Sequence, residues 1–112
     1  MAASPTERTL KWLREQGIAC EVVEKWMPRT RQRKDLFGGI DIVGIRADPQ
    51  LTVGVQATSG GHVSDRVKKI VEIPELRTWV EAGNQLWVVG WRLAGKKGQR
   101  KTWQPRVVEI GF

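Results

Sequence analysis

The sequence predicts one α/β domain with an α-β-β-β-α-β order, a mixed central sheet and an extra C-terminal strand. Three observations lead there. Capped helical starts and stops recur. Three short β-rich runs follow one another between Pro and Gly signals. A helical stretch then separates the third run from a strongly apolar fourth, which makes those two parallel neighbours across a crossover.

The elements follow in order. Ser4-Pro5-Thr6-Glu7 opens a helix, with Ser4 as cap, Pro5 at the first helical position and Glu7 completing a capping box. It runs to about Gln16 and stops at Gly17. Residues 18–27 read as a strand ended by Pro28, and the basic stretch 29–34 as a loop. Gly38-Gly39 precede a second strand over 40–46, Asp48-Pro49 mark a turn, and a third strand covers 51–58. Val63, Val67, Ile70 and Val71 recur at helical spacing, so a helix covers about 64–73. Pro74 must end, kink or restart it, and a second piece runs to Ala82 before Gly83. The apolar strand is 86–93, the basic segment 95–101 is a loop, and 102–110 is a last strand that Pro105 assigns to an edge.

A chain of 112 residues suits one domain and is too short for two. With 40% hydrophobic residues it is not a disordered tail, and its single cysteine, Cys20, excludes an internal disulfide framework and fits a reducing compartment. The start carries no apolar stretch of signal-peptide type, and no apolar run approaches a membrane span, so a cytoplasmic protein without a membrane partner is expected.

The net charge of +7 is concentrated. Arg29, Arg31, Arg33 and Lys34 form one cluster, Lys96, Lys97, Arg100 and Lys101 a second, and outside them the chain is close to neutral. Clustered cations around one sheet attract polyanions, which points to nucleic acid; solvated basic loops are the plainer reading. DNA is the expected partner and RNA the alternative. Of six tryptophans most suit the core, and Trp103, just after the second basic loop, is the best candidate for stacking on a base.

A turn centred between Asp48 and Pro49 places Asp41 opposite Gln56. Alternation puts Gln56 and Thr58 on one face of their strand. An acid, an amide and a hydroxyl then share a patch. The pair is expected to face the Glu7 end of the first helix. Buried polar groups need partners, so the patch must meet water, that helix or a metal.

Asp41, a hairpin and then Gln56-Ala57-Thr58 resemble the D…(D/E)-x-K signature of the PD-(D/E)XK nuclease superfamily. The element order is similar to its restriction-endonuclease-like core. Glu7 resembles the first-helix Glu of archaeal Holliday-junction resolvases, and residues 33–38 with Asp41 and 56–59 look like small phage and prophage proteins of that superfamily. The resemblance implies a Mg²⁺- or Mn²⁺-dependent DNA endonuclease, structure-selective in the resolvase manner, with Asp41 as principal ligand, Gln56 offering its side-chain oxygen, Ala57 its carbonyl, and Glu7 binding directly or through water. Gln56 and Thr58 depart from the family's acid and lysine; Arg66 on the following helix is the substitute cation. Resolvase-like enzymes work as dimers, and one exposed apolar edge would suit a homodimer.

Several of these residues also suit plainer structural roles. Glu7 is accounted for by its capping box. Asp35 reads as a loop-ordering or Arg-pairing acid. His62 follows Gly60-Gly61 and is either a phosphate contact or a plain loop residue, and Cys20 reads as a buried small hydrophobe. A catalytically inactive nuclease-fold protein that binds nucleic acid, or a basic module that engages an acidic protein, are the rival functions.

Overall fold

The structure is a computed structural model that describes residues 3–112; Met1 and Ala2, the first residues of the expected leaderless start, lie outside it. Helix α1 spans Pro5–Glu15. The Ser4 hydroxyl accepts the Glu7 N–H at 3.1 Å, and Gly17, at φ +75°, takes the chain out of the helix. The strands are β1 (Ala19–Val22), β2 (Lys25–Met27), β3 (Gln32–Lys34), β4 (Ile42–Arg46), β5 (Leu51–Ser59), β6 (Gln85–Ala94) and β7 (Thr102–Glu109). Between β5 and β6 come a single 3-10 turn (Gly60–His62), α2 (Val63–Val71) and α3 (Pro74–Glu81). Pro74 restarts the chain as the first residue of α3 instead of kinking one long helix.

The main sheet has the order β1-β4-β5-β6-β7. β1, β4 and β5 form an antiparallel meander, β5 and β6 are parallel, and β7 returns antiparallel on the outer edge. Pro105 is thus on an edge strand, where its missing N–H is tolerated. α1 covers one face through Leu13, packed with Ile18, Ile42, Val53, Val55 and Val89. α2 and α3 cover the other through Val63, Ile70 and Leu76, packed with Ile40, Leu86 and Val88. Side chains this fully buried stabilise by roughly 1.5–3 kcal/mol each. Both faces of β5 and β6 are covered, which is why β6 reads as a near-continuous apolar run.

Two expectations need correction. The strand expected over 18–27 is two strands, and the expected basic loop contains a third, because β2 and β3 pair with each other in a separate two-stranded ribbon. All six ribbon residues are exposed, so no alternation marks them in the sequence. The strand expected from residue 40 begins at Ile42. Phe37 and Gly38 adopt φ +54° and +80°, closing a tight turn in which Ile40 N–H donates to Leu36 C=O at 3.0 Å. Among the described residues no helix is long and apolar enough to cross a membrane.

Candidate functional site

The site is built around Asp41. Its N–H donates to Val55 C=O at 2.9 Å, extending the β4–β5 ladder by one residue and placing it opposite Gln56. There the chain turns away, and the Asp41 carboxylate takes over as acceptor: Oδ2 receives the Ala57 N–H at 3.1 Å and a hydrogen bond from Gln56 Nε2. Ala57 therefore enters the site through its N–H. The expected pairing of acid and amide is present, and both are buried, Asp41 at 6% and Gln56 at 2% exposure.

The face differs from the expected one. Gln56 alternates with Val53 and Val55, which pack beneath α1, and shares the side of Gly54, where a Cβ would press on Ile40 in the α2–α3 layer. The pair thus does not face the Glu7 end of α1. Glu7 uses its N–H in the Ser4 cap, and its side chain lines a groove beside Trp91 and Trp103 on the α1 side.

Two other acids reach Asp41. Extending the β2–β3 register by one step sets Glu24 opposite Asp35 at the root of the ribbon. Their carboxylate oxygens and that of Asp41 lie within 4.8 Å of one another. The turn that follows Asp35 folds it back against Asp41, with Gly38 N–H donating to Asp35 C=O at 3.0 Å. Gly39 lets the chain pass close to the helices here: a Cβ there would lie 2.6 Å from Leu76 Cδ1 on α3, and that side chain would have to shift. Glu24 is held by Arg33, Nη1 to Oε1 at 2.9 Å.

Burial, helped by the two neighbouring acids, explains the ionisation of Asp41. Burial pushes its carboxyl up to about 8, the hydrogen bond and the charge of Asp35 push the same way, and Glu24 adds to them, while the Ala57 N–H opposes. Without a cation this cluster keeps a proton near neutral pH. Gln56 Oε1 is buried and has no hydrogen-bond partner among the described residues. Half a turn of the amide exchanges it with Nε2 and brings an oxygen to face Asp41. Three carboxylates and an orphaned amide oxygen are the hard-oxygen donors that Mg²⁺ or Mn²⁺ takes, so the residues fit such an ion.

The remaining sequence candidates are placed as follows. Thr58 is buried opposite Gly90 and shares the side of Gln56. Arg66 is half-buried on α2 and enters no ion pair among the described residues. Arg29 and Arg31 lie in the ribbon turn and Arg33 and Lys34 on β3, so the first cluster decorates the ribbon whose root holds Glu24 and Asp35. By alternation Trp26 and Arg33 share the carboxylates' side of the ribbon, and Trp26 is 54% exposed. Lys96, Lys97, Arg100 and Lys101 occupy the exposed turn between β6 and β7. His62 is exposed, 4.0 Å from Asp65, and Cys20 is buried with Sγ 3.7 Å from Leu10 C=O.

Sequence reasoning missed Glu24 and gave Asp35 only a structural role. Comparison with family models, curated proteins and solved structures gives no match for this chain.

Proposed function

We propose that this chain is a small Mg²⁺- or Mn²⁺-dependent DNA endonuclease, with a core arranged like that of the PD-(D/E)XK nucleases. The observation that carries the reading is the convergence of Glu24, Asp35 and Asp41 at the root of a basic ribbon, beside Gln56, whose amide nitrogen meets Asp41 and whose oxygen is left without a partner. In this reading the second acid of the family pattern comes from the ribbon and not from β5. Glu24, Asp35 and Asp41 would hold the ion, and Gln56 would turn its oxygen toward it. A divalent ion there supplies charge neutralisation of a phosphodiester and activation of water.

The chain's own residues do the rest. Ala57 N–H fixes the Asp41 carboxylate. Arg33 and Lys34 offer charge to a phosphate backbone, and Trp26 offers a stacking surface beside it. Thr58 supplies a hydroxyl where the resembled family has an ammonium, and Arg66 is the nearest cation by sequence on α2. The absence of that ammonium favours a second reading, a nucleic-acid binder without catalysis. Incubation of the protein with branched and linear DNA in Mg²⁺, Mn²⁺ or EDTA separates them. Metal-dependent cleavage that Asp41→Asn abolishes is the expected result; DNA binding without cleavage under any ion would leave the second reading.

A further inference from the structure

On the α1 side of the sheet, away from the carboxylates of the acidic cluster, a groove of about 450 Å³ runs along α1 from Glu7 to Glu15, between that helix and the β6–β7 edge at Trp91, Trp103 and Pro105. Small-ligand sites commonly measure about 300–1,000 Å³. α1 packs mainly on β1, β4, β5 and β6, which leaves Trp103, Pro105 and Val107 of the outer strand partly open on this side; Trp103 is 48% and Val107 42% exposed. The Arg8 guanidinium lies over the Trp103 ring, 3.9 Å from its centroid, and holds a flat aromatic–cation surface at the groove. Trp12 forms the opposite wall, itself fixed edge-on against Trp87 and Trp91 at 6.2 and 6.4 Å between centroids. Trp91 Nε1 is already used, donating to Thr9 Oγ1 at 2.9 Å, so that ring offers its surface and not its donor.

Charge sets the occupant. Trp103 pairs with Leu93 one step from the Ala94–Thr102 pair that closes the β6–β7 hairpin, and beyond that pair lies the turn that carries Lys96, Lys97, Arg100 and Lys101. Inside the groove the charged residues include Glu7 and Glu15 as well as Arg8 and Lys11. Carboxylates repel phosphate but accept hydrogen bonds from the N–H groups of unpaired bases, the N3–H of thymine among them. A polyanion therefore enters with its bases inward, on the rings, and its phosphates outward, on the turn. A duplex cannot do this, because its base faces are already stacked; an unpaired strand can.

We infer that this groove binds unpaired nucleotides of single-stranded nucleic acid, with bases stacked on Trp103 and Arg8 and the backbone held by the 96–101 turn. The inference deepens the nuclease reading by giving the substrate a single-stranded arm, and rests on that reading only for the presence of nucleic acid.

The test is fluorescence anisotropy in EDTA with a labelled oligothymidylate and, separately, a blunt duplex. Trp103→Ala should weaken oligothymidylate binding about tenfold, the loss of one stacked base, and change duplex binding by less than about twofold. Trp103→Phe should keep most of the affinity, and Arg8→Gln should lower it several-fold. Circular dichroism checks the fold of each variant; Trp103 is half exposed, so the fold is expected to survive. Oligothymidylate that does not bind the wild-type protein, an unchanged affinity in Trp103→Ala, or equal losses on both ligands would overturn the inference. Cleavage is read apart from this. If the wild type never cuts DNA yet Trp103→Ala loses the single strand alone, the nuclease reading falls and the groove stands; cleavage with no Trp103 effect gives the reverse.

Discussion

Arg33 Nη1 lies 2.9 Å from Glu24 Oε1, so a carboxylate of the acidic cluster is paired with a guanidinium that is itself 71% exposed. The arrangement gives Arg33 two competing partners, the cluster and any approaching phosphate. Arg33→Gln should therefore act in opposite directions on two ligands. Removing the cation should tighten Mn²⁺ binding several-fold, as followed by calorimetry, and weaken DNA binding with a shallower salt dependence. Stability should change by no more than about 1 kcal/mol, because the pair is partly exposed.

The raised carboxyl of Asp41 gives stability a definite pH dependence. An unfolded Asp titrates near about 3.9, and in the folded protein this one is pushed up to about 8. Between those values the folded state holds the extra proton. The metal-free protein should be most stable below about pH 4 as far as this group is concerned, and should lose that contribution as pH rises through about 8. The slope is at most about 1.4 kcal/mol per pH unit for one proton. Urea unfolding in EDTA at a series of pH values measures it, and saturating Mg²⁺ should flatten the profile.

Asp41→Asn should separate structure from chemistry. The Asn oxygen can still accept the Ala57 N–H, and a turned Gln56 amide can accept from the new side-chain N–H₂. The variant should fold with a pH profile flatter than the parent's, bind DNA through its unchanged cations, and show neither divalent-ion binding nor cleavage. Retained cleavage in this variant would place the chemistry elsewhere.

Gln56→Glu should bind Mg²⁺ more tightly than the parent, because a fourth carboxylate joins the cluster. It should also make the metal-free protein less stable at alkaline pH through like-charge repulsion. Thr58→Lys faces a harder obstacle. Thr58 is 5% exposed and lies opposite Gly90, where an added Cβ would collide with the Val63 side chain and come within 3.2 Å of Gly60 Cα. A lysine there has little room, and the substitution should destabilise by about 1–3 kcal/mol. Thermal unfolding of the two single variants and the double variant gives both effects. Where the double variant folds, faster Mg²⁺-dependent cleavage than in the parent is expected.

How far the sequence was legible depends on whether burial wrote a pattern into it. Asp41 opposite Gln56 was readable from the turn centred between Asp48 and Pro49, and the register holds because a slip by one residue would turn the core residues Ile42, Val53 and Val55 to the wrong side. The parallel β5–β6 pair was readable from the apolar spacing of α2 and the apolar run of β6. Glu24 was not, because β2 and β3 bury nothing and their order comes from pairing with each other alone. The face of Gln56 was not legible either: alternation assigns residues to two sides of a strand but does not say which helix covers which side.

The isolation of the β2–β3 ribbon bears on how the acidic cluster responds to solution conditions. A two-stranded ribbon with no packed layer is marginally stable by itself, and its exposed cross-strand hydrogen bonds open at low free-energy cost. Glu24 and Asp35 stand at the root of that element, while Asp41 and Gln56 stand in the slow-opening sheet. Amide hydrogens of residues 25–34 should exchange with deuterium long before those of β5. Whatever bridges the three carboxylates would have to close that gap, so its binding should be visible as slowed exchange in the ribbon, far along the chain from Asp41.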